Sequence, residues 1–287
     1  MRTLEDLNGS CTVRSPRVSV VLPTYNREAV LPTAIATVLD QTVPVHELLV
    51  VDDGSTDGTA AVVDRIAGHD PRVRYLHQPN SGASAARNRG IAEASGDVIA
   101  FQDSDDLWRL TFLETLLPHL GPDRLVFGSH VLHSRDGSSH VVPRGMVTDP
   151  VRVLRRRNIA STQTIVADAG LLARIGFDTA LRRFQDWDLC LAVLAVPGAR
   201  VVHVPRVVAD VRREADSISE GSAAVRDQAL RTVFRKHRRQ FLRDPVALAR
   251  IVLRAWGRPF LRGLVGLDPP RPRPRTGPVP VAPGPRS

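Results

Sequence analysis

Apolar residues in the first hundred positions fall into short runs separated by longer stretches with helical spacing. Val18–Leu22, Leu48–Val51 and Val98–Phe101 are four or five residues long and almost wholly apolar, and Val73–Leu76 is a more mixed run of the same length. Such runs predict strands covered on both faces, as in a parallel sheet. Between them, Val30, Leu31, Ala34, Ile35, Val38 and Leu39 recur every three or four positions and predict a helix over 28–39. Helices are also predicted over Thr59–Ala67, after Ser55-Thr56-Asp57, and over Ala83–Ala94, entered from Asn80-Ser81-Gly82. The order βαβαβαβ implies an α/β fold: a central, mostly parallel sheet with helices on both faces and right-handed crossovers.

From Leu107 the pattern changes. It predicts a helix over Leu107–Leu120, antiparallel strands over Arg124–Ser134 and Ser139–Pro143, and a short basic helix over Val151–Arg157. A strand at Thr164–Val166, a helix at Ala169–Ile175, an apolar helix at Trp187–Val196 and one or two short strands within Val201–Val208 follow. Two further helices are predicted over Ala223–Leu242 and Pro245–Val265. The chain thus divides into a polar lead (1–16), a main domain (17–220), a C-terminal helical appendage (221–267) and a Pro- and Arg-rich tail (268–287) too poor in apolar residues for a core.

Charge and cysteine content narrow the function classes. The formal net charge is +9, carried almost entirely by Arg, with Lys236 the sole lysine. The basic excess lies mainly in the C-terminal third, while most acidic residues lie in the first half, which argues against nucleic acid as the main ligand. Cys11 and Cys190 form no disulfide framework, so a reducing, cytoplasmic setting is expected. Residues 1–17 lack a signal-like apolar core, and no apolar run approaches the roughly 20 residues of a membrane span. The protein is expected to be soluble or to lie on a membrane surface. Arg250, Arg254, Arg258 and Arg262 recur every fourth residue, with Leu248, Ile251, Val252 and Ala255 on another side. This stripe reads either as a peripheral contact with an anionic membrane or as a helix packed on the core with its arginines in solvent. Gly257 and Pro259 weaken the first reading.

Candidate chemistry sits where the predicted strands end, the edge at which open parallel sheets bind ligands. The first strand runs into Pro23-Thr24-Tyr25-Asn26, the second into Asp52-Asp53-Gly54-Ser55, the fourth into Asp103-Ser104-Asp105-Asp106. Asp103 and Asp105 offer hard oxygen ligands suited to Mg²⁺ or Mn²⁺ shared with a diphosphate; alternatively Asp103 and Asp106 cap the next helix. Asp52 and Asp53 suit hydrogen bonds from a base or ribose, or a turn at Gly54. Tyr25 suits stacking on a flat ring, or packing in the core. Asp186, in Gln185-Asp186-Trp187-Asp188, suits a general base or an N-cap.

Together these segments resemble the family 2 glycosyltransferases, which transfer sugars from nucleotide diphosphates and have the GT-A fold. The matching text runs from Val18 to Arg27, through Leu39-Asp40-Gln41-Thr42 and Val50–Thr59, to Asn80-Ser81-Gly82, Ala86-Arg87-Asn88, Gly96-Asp97 and Asp103–Asp106. It continues more weakly through Thr164-Ile165-Val166 and Ile175–Asp178 to Gln185–Leu189, so that about 17–220 is covered. The resemblance implies that Asp53, with Asp52 beside it, contacts the base. Pro23, Thr24 and Tyr25 would line the base pocket, and Gly82 would lie in the segment closing over the nucleotide. Asp103 would face the ribose or sugar, Asp105 would hold a divalent cation (Mn²⁺ or Mg²⁺), and Asp186 would deprotonate the acceptor hydroxyl. A metal-dependent, inverting transfer follows, from a nucleotide sugar, foremost a UDP-sugar, to a saccharide or lipid-linked saccharide. Two positions depart from the family pattern: Gln185 stands where Glu is common, and Glu214 where a His often precedes Ser-x-Ser, which would leave any diphosphate contact there to Arg212 or Arg213. Gln185 is the one feature favouring a catalytically silent nucleotide-sugar-binding scaffold. A nucleotidyltransferase would need Gly and Lys after the first strand, which Pro23–Arg27 lacks.

Overall fold

A computed structural model describes residues 15–212 and 223–257. Cys11, Arg213, Glu214, the lead before residue 15 and the tail lie outside the described residues. The predicted βαβαβαβ half forms β1 (Val18–Thr24), α1 (Leu31–Leu39), β2 (Glu47–Asp52), α2 (Thr59–Ala67), β3 (Val73–His77), α3 (Ala83–Glu93) and β4 (Val98–Phe101). The four strands pair in parallel in the order β3-β2-β1-β4. Every residue of β1, β2 and β4 is buried, which is why these strands read as almost wholly apolar runs. Alternate side chains enter opposite layers. Val21, Leu49, Val51 and Phe101 belong to one apolar cluster, and Val20, Leu22, Leu48 and Val50 to the other. Helix α3 lies so close to β1 that a Cβ on Gly90 would collide with Val21. Gly90→Ala should lower stability by about 1–3 kcal/mol. Chemical denaturation would check this, with Val21→Ala restoring part of the loss in the double variant.

The second half adds β5 (Leu107–Trp108), α4 (Phe112–Leu116), β6 (Arg124–His133), β7 (Ser139–Val142), α5 (Pro150–Arg156), β8 (Ile165–Asp168), α6 (Ala169–Ile175), α7 (Gln185–Val193) and β9 (Arg200–Arg212). The sheet continues past β4 as β8-β6-β9-β5, with β7 on β6. Only the β6–β9 pair is parallel in this half. Two predicted elements differ. Leu107–Leu120 is not one helix: Leu107 and Trp108 pair with Asp210 and Ala209 of β9, and the Trp108 indole donates to the Gln163 carbonyl. Val201–Val208 is part of a single 13-residue strand. Between the pairs Gly128–Val204 and Ser129–Val207 its register shifts, so Pro205 and Arg206 bulge out without ending the strand.

Helices α8 (Ala223–Leu242) and α9 (Pro245–Val252) follow, and the latter leads into a wider π turn at Leu253–Gly257. The helix predicted as far as Val265 therefore changes geometry at Leu253. Leu230, Val233, Phe241, Ala247 and Ile251 join the same cluster as Phe101 and Trp187, so the appendage shares the main core. Asp244 caps α9 and is also held by Arg156 of α5, at 2.8 and 3.1 Å. Among the described residues no helix is long and apolar enough to cross a membrane.

Candidate active site

The C-terminal ends of β1, β2 and β4 are tied together by side chains that leave the strands at one edge. Asp53, buried after β2, accepts from the Gln78 amide (2.7 Å) and from the backbone N–H groups of Ser81 (2.8 Å) and Gly82 (2.7 Å). It thereby fixes the segment entering α3, where Gly82 has φ +90°, a conformation that favours glycine. Asp52 turns the other way, accepting from the Tyr75 hydroxyl (2.6 Å) and the Ser55 N–H (2.8 Å). Burial and that bond push the Tyr75 phenol above its usual range. Pro23 and Thr24 are buried at the end of β1, and the Thr24 hydroxyl has no partner among the described residues, while Tyr25 beside them is 47% exposed.

Arg87, one turn into α3 and buried, connects two further parts of the chain. One guanidinium nitrogen donates to Asp103 after β4 (2.6 Å), another to the Gln185 side-chain carbonyl at the start of α7 (2.9 Å). The Phe177 ring lies under the guanidinium, 5.4 Å from its centre, and Asn88 holds that ring's backbone through two hydrogen bonds. Asp186 is therefore next in sequence to a residue bound to Arg87. Phe184, with φ 62°, is the N-cap of α7, so Asp186 is the helix's second residue and not its cap. Asp186 is partly buried, and its enclosure by protein pushes its pKa above the ordinary carboxylate range. The Asp103 charge acts in the same direction, whereas bonds from Asn158 and the Trp187 N–H, and the Arg87 charge, oppose it. A carboxylate so placed is a stronger proton acceptor than a solvated one.

Asp105 lies 3.8 Å from the Arg27 guanidinium, each side chain about one quarter exposed. Asp106, buried, accepts from the Arg212 N–H (3.0 Å), which ties the β4 loop to the end of β9. Among the described residues no group of three or more His, Cys, Asp or Glu is placed to hold a metal ion. Helix α7 is anchored from behind: buried Asp188 accepts from Lys236 and His237 of α8, both at 2.7 Å. A separate cleft, lined by Thr111, Thr115, His119 and Arg206, touches none of these carboxylates.

Residues 19–189, more than half the chain, match the glycosyl transferase family 2 sequence pattern. The chain belongs to glycosyl transferase family 2. The chain is 36% identical over 126 residues to the putative teichuronic acid biosynthesis glycosyltransferase TuaG of Bacillus subtilis, covering 43% of this chain and 50% of that protein. It is 43% identical over 103 residues to the glycosyltransferase GlyG of Streptococcus pneumoniae, covering 36% and 34%. It spans about half or less of the length of these curated relatives. Among solved structures, the mannosyltransferase PcManGT of Pyrobaculum calidifontis, in complex with GDP-Man and Mn²⁺, superposes with a TM-score of 0.67 at 24% identity, covering 89% of this chain and 75% of that one. Residues 1–349 of S. aureus TarS, in complex with UDP, superpose with a TM-score of 0.64 at 19% identity, covering 86% and 75%. These likenesses establish the GT-A architecture for this glycosyltransferase.

Arg87, Asn158 and Arg27 contact the candidate residues Asp103, Asp186 and Asp105, and none of the three is singled out by the sequence pattern. Arg87 and Arg27 stand within the matching segments, a usable signal. Asn158 reaches Asp186 from beyond α5, and no local pattern marks it.

Proposed function

We propose that this glycosyltransferase is a metal-dependent, inverting, hexosyltransferase-type enzyme that moves a sugar from a nucleotide diphosphate, foremost UDP, to a hydroxyl of a saccharide or lipid-linked saccharide. Polysaccharide, glycolipid or glycoconjugate synthesis is the corresponding role. The observation that carries this reading is Arg87, which joins Asp103 to the helix start bearing Asp186. Complexes of the neighbouring folds with UDP, UDP-GlcNAc and GDP-Man with Mn²⁺ support a nucleotide-sugar donor.

The chemistry of Asp105 suits a hard divalent cation. Its carboxylate is about one quarter exposed and only loosely paired with Arg27, so it would hold the cation and leave other coordination positions to diphosphate and water. Asp103, held by Arg87, would face the ribose or sugar. Such a cation neutralises the charge that develops on the departing diphosphate. The residues of the chain do the rest. Thr24 and Tyr25 border the base, while Asp53 keeps the Ser81–Gly82 segment in place against the nucleotide. Asp186 takes the proton of the acceptor hydroxyl as its oxygen lone pair attacks the anomeric carbon. The bond to the diphosphate oxygen breaks, its electron pair leaves with the nucleotide, and the anomeric centre inverts.

Gln185 does not favour a silent scaffold once its contacts are considered, because its neutral carbonyl keeps the bond to Arg87. A thermal-shift screen of UDP-, GDP- and dTDP-sugars with Mn²⁺, followed by donor-turnover assays, tests the reading. A UDP-sugar should raise the melting temperature only with the cation, and turnover should follow. Asp105→Asn should lose the cation-dependent shift. Binding without any hydrolysis or transfer would support the scaffold instead.

A further inference from the structure

The C-terminal helices present two apolar faces. Along α9 and the π turn that continues it, Ala247, Ile251 and Ala255 recur every fourth residue and are buried against the core. Val246, Ala249 and Leu253 fall on the opposite side by helical spacing and are exposed, Val246 by 45% and Leu253 by 62%. Leu242, closing α8, is also 62% exposed. Four of the eight large apolar side chains exposed among the described residues lie between positions 242 and 253. The outward side of a surface helix ordinarily carries polar residues, so this arrangement calls for a cover.

Charge selects the cover. Residues 223–257 contain nine basic and two acidic residues. Both acids are already paired, Asp227 with Arg226 and Asp244 with Arg156. Arg243 and Arg250 flank the apolar stripe and are exposed. An apolar centre bordered by arginines matches an anionic bilayer surface, where apolar side chains enter the head-group layer and guanidinium groups meet lipid phosphate. A second copy of the same patch would bring like charges together.

We propose that the α8–α9 corner docks on an anionic lipid bilayer through Leu242, Val246 and Leu253, with Arg243 and Arg250 on lipid phosphates. The docking does not depend on the proposed transfer reaction and is read without donor. It would hold α7, which α8 grips through Asp188, close to a lipid-borne acceptor.

The test is flotation of the full chain with phosphatidylglycerol-rich vesicles and with pure phosphatidylcholine vesicles. The protein should float with the anionic vesicles only. Val246→Glu with Leu253→Glu should lower partitioning by about tenfold or more. Arg243→Ala with Arg250→Ala should give a loss of similar order at low salt. Melting temperatures should be unchanged, since all four side chains are exposed. No flotation of the intact chain would overturn the proposal. So would parental binding by the double-Glu variant, which would assign lipid binding to other basic segments, or a dimer that this variant abolishes, which would make a second copy the cover.

Discussion

Replacing Asp186 by Asn should lower the transfer rate by roughly 10²–10⁴-fold, the range associated with a positioned general base. Nucleotide binding, read by titration calorimetry with the nucleoside diphosphate, should remain near the parental value, because the Arg87 contacts to Asp103 and Gln185 do not involve this side chain. The variant should fold at least as well as the parent. Asp186 has a raised pKa in the folded chain, so its ionised form costs stability once the pH exceeds the pKa of the unfolded chain, and an amide removes that cost. The same shift sets the acid limb of the pH–rate profile. Transfer needs the deprotonated carboxylate, so the rate should fall on acidification through a pKa above the ordinary 3.8. An acid limb at or below that value would separate the limb from Asp186.

Arg87→Met is expected to have the largest effect on stability. It leaves Asp103 without its cation and Gln185 without its donor, in surroundings where the arginine side chain itself is only 6% exposed. Breaking one side of a buried pair costs about 3–5 kcal/mol, and the part-exposed Asp103 lowers this to about 2–4. The melting temperature should drop by roughly 5–10 °C. Arg87→Lys keeps the charge but cannot bridge two acceptors with a planar fork, so it should recover only part of the loss. A double-mutant cycle with Asp103→Asn should give a coupling of about 1 kcal/mol or more. Additive losses would mean that the bridge from α3 to β4 contributes little.

The parallel half of the fold is legible in the sequence for a plain reason. Strands β1, β2 and β4 are covered on both faces, so most positions are apolar and the runs stand out, with the buried polar residues near the strand ends. The antiparallel half is harder to read because tertiary contacts override local spacing. Leu113, Leu116 and Leu117 have the spacing of one long helix, yet Trp108 is drawn into an edge strand by β9 and stacks on Phe112 at 3.8 Å. Pro205 signals the end of a strand, yet a bulge absorbs it. The candidate carboxylates are visible because strand ends are short and acidic clusters conspicuous. What joins them is less visible. Arg87 looks like any helical arginine until folding sets it between Asp103, 16 residues on, and Gln185, 98 residues on, and Gln185 looks like a lost charge until its carbonyl is seen to accept from that arginine.

The most direct measurement is a crystal structure of the Asp186→Asn variant with Mn²⁺ and an intact UDP-sugar. The base is expected beside Thr24 and Tyr25, the diphosphate near Asp105 with the ribose or sugar towards Asp103, and the anomeric carbon facing residue 186 with room for an incoming hydroxyl between them. Donor density elsewhere, for instance in the cleft beside Thr111 and Arg206, or an anomeric carbon turned away from residue 186, would contradict this placement.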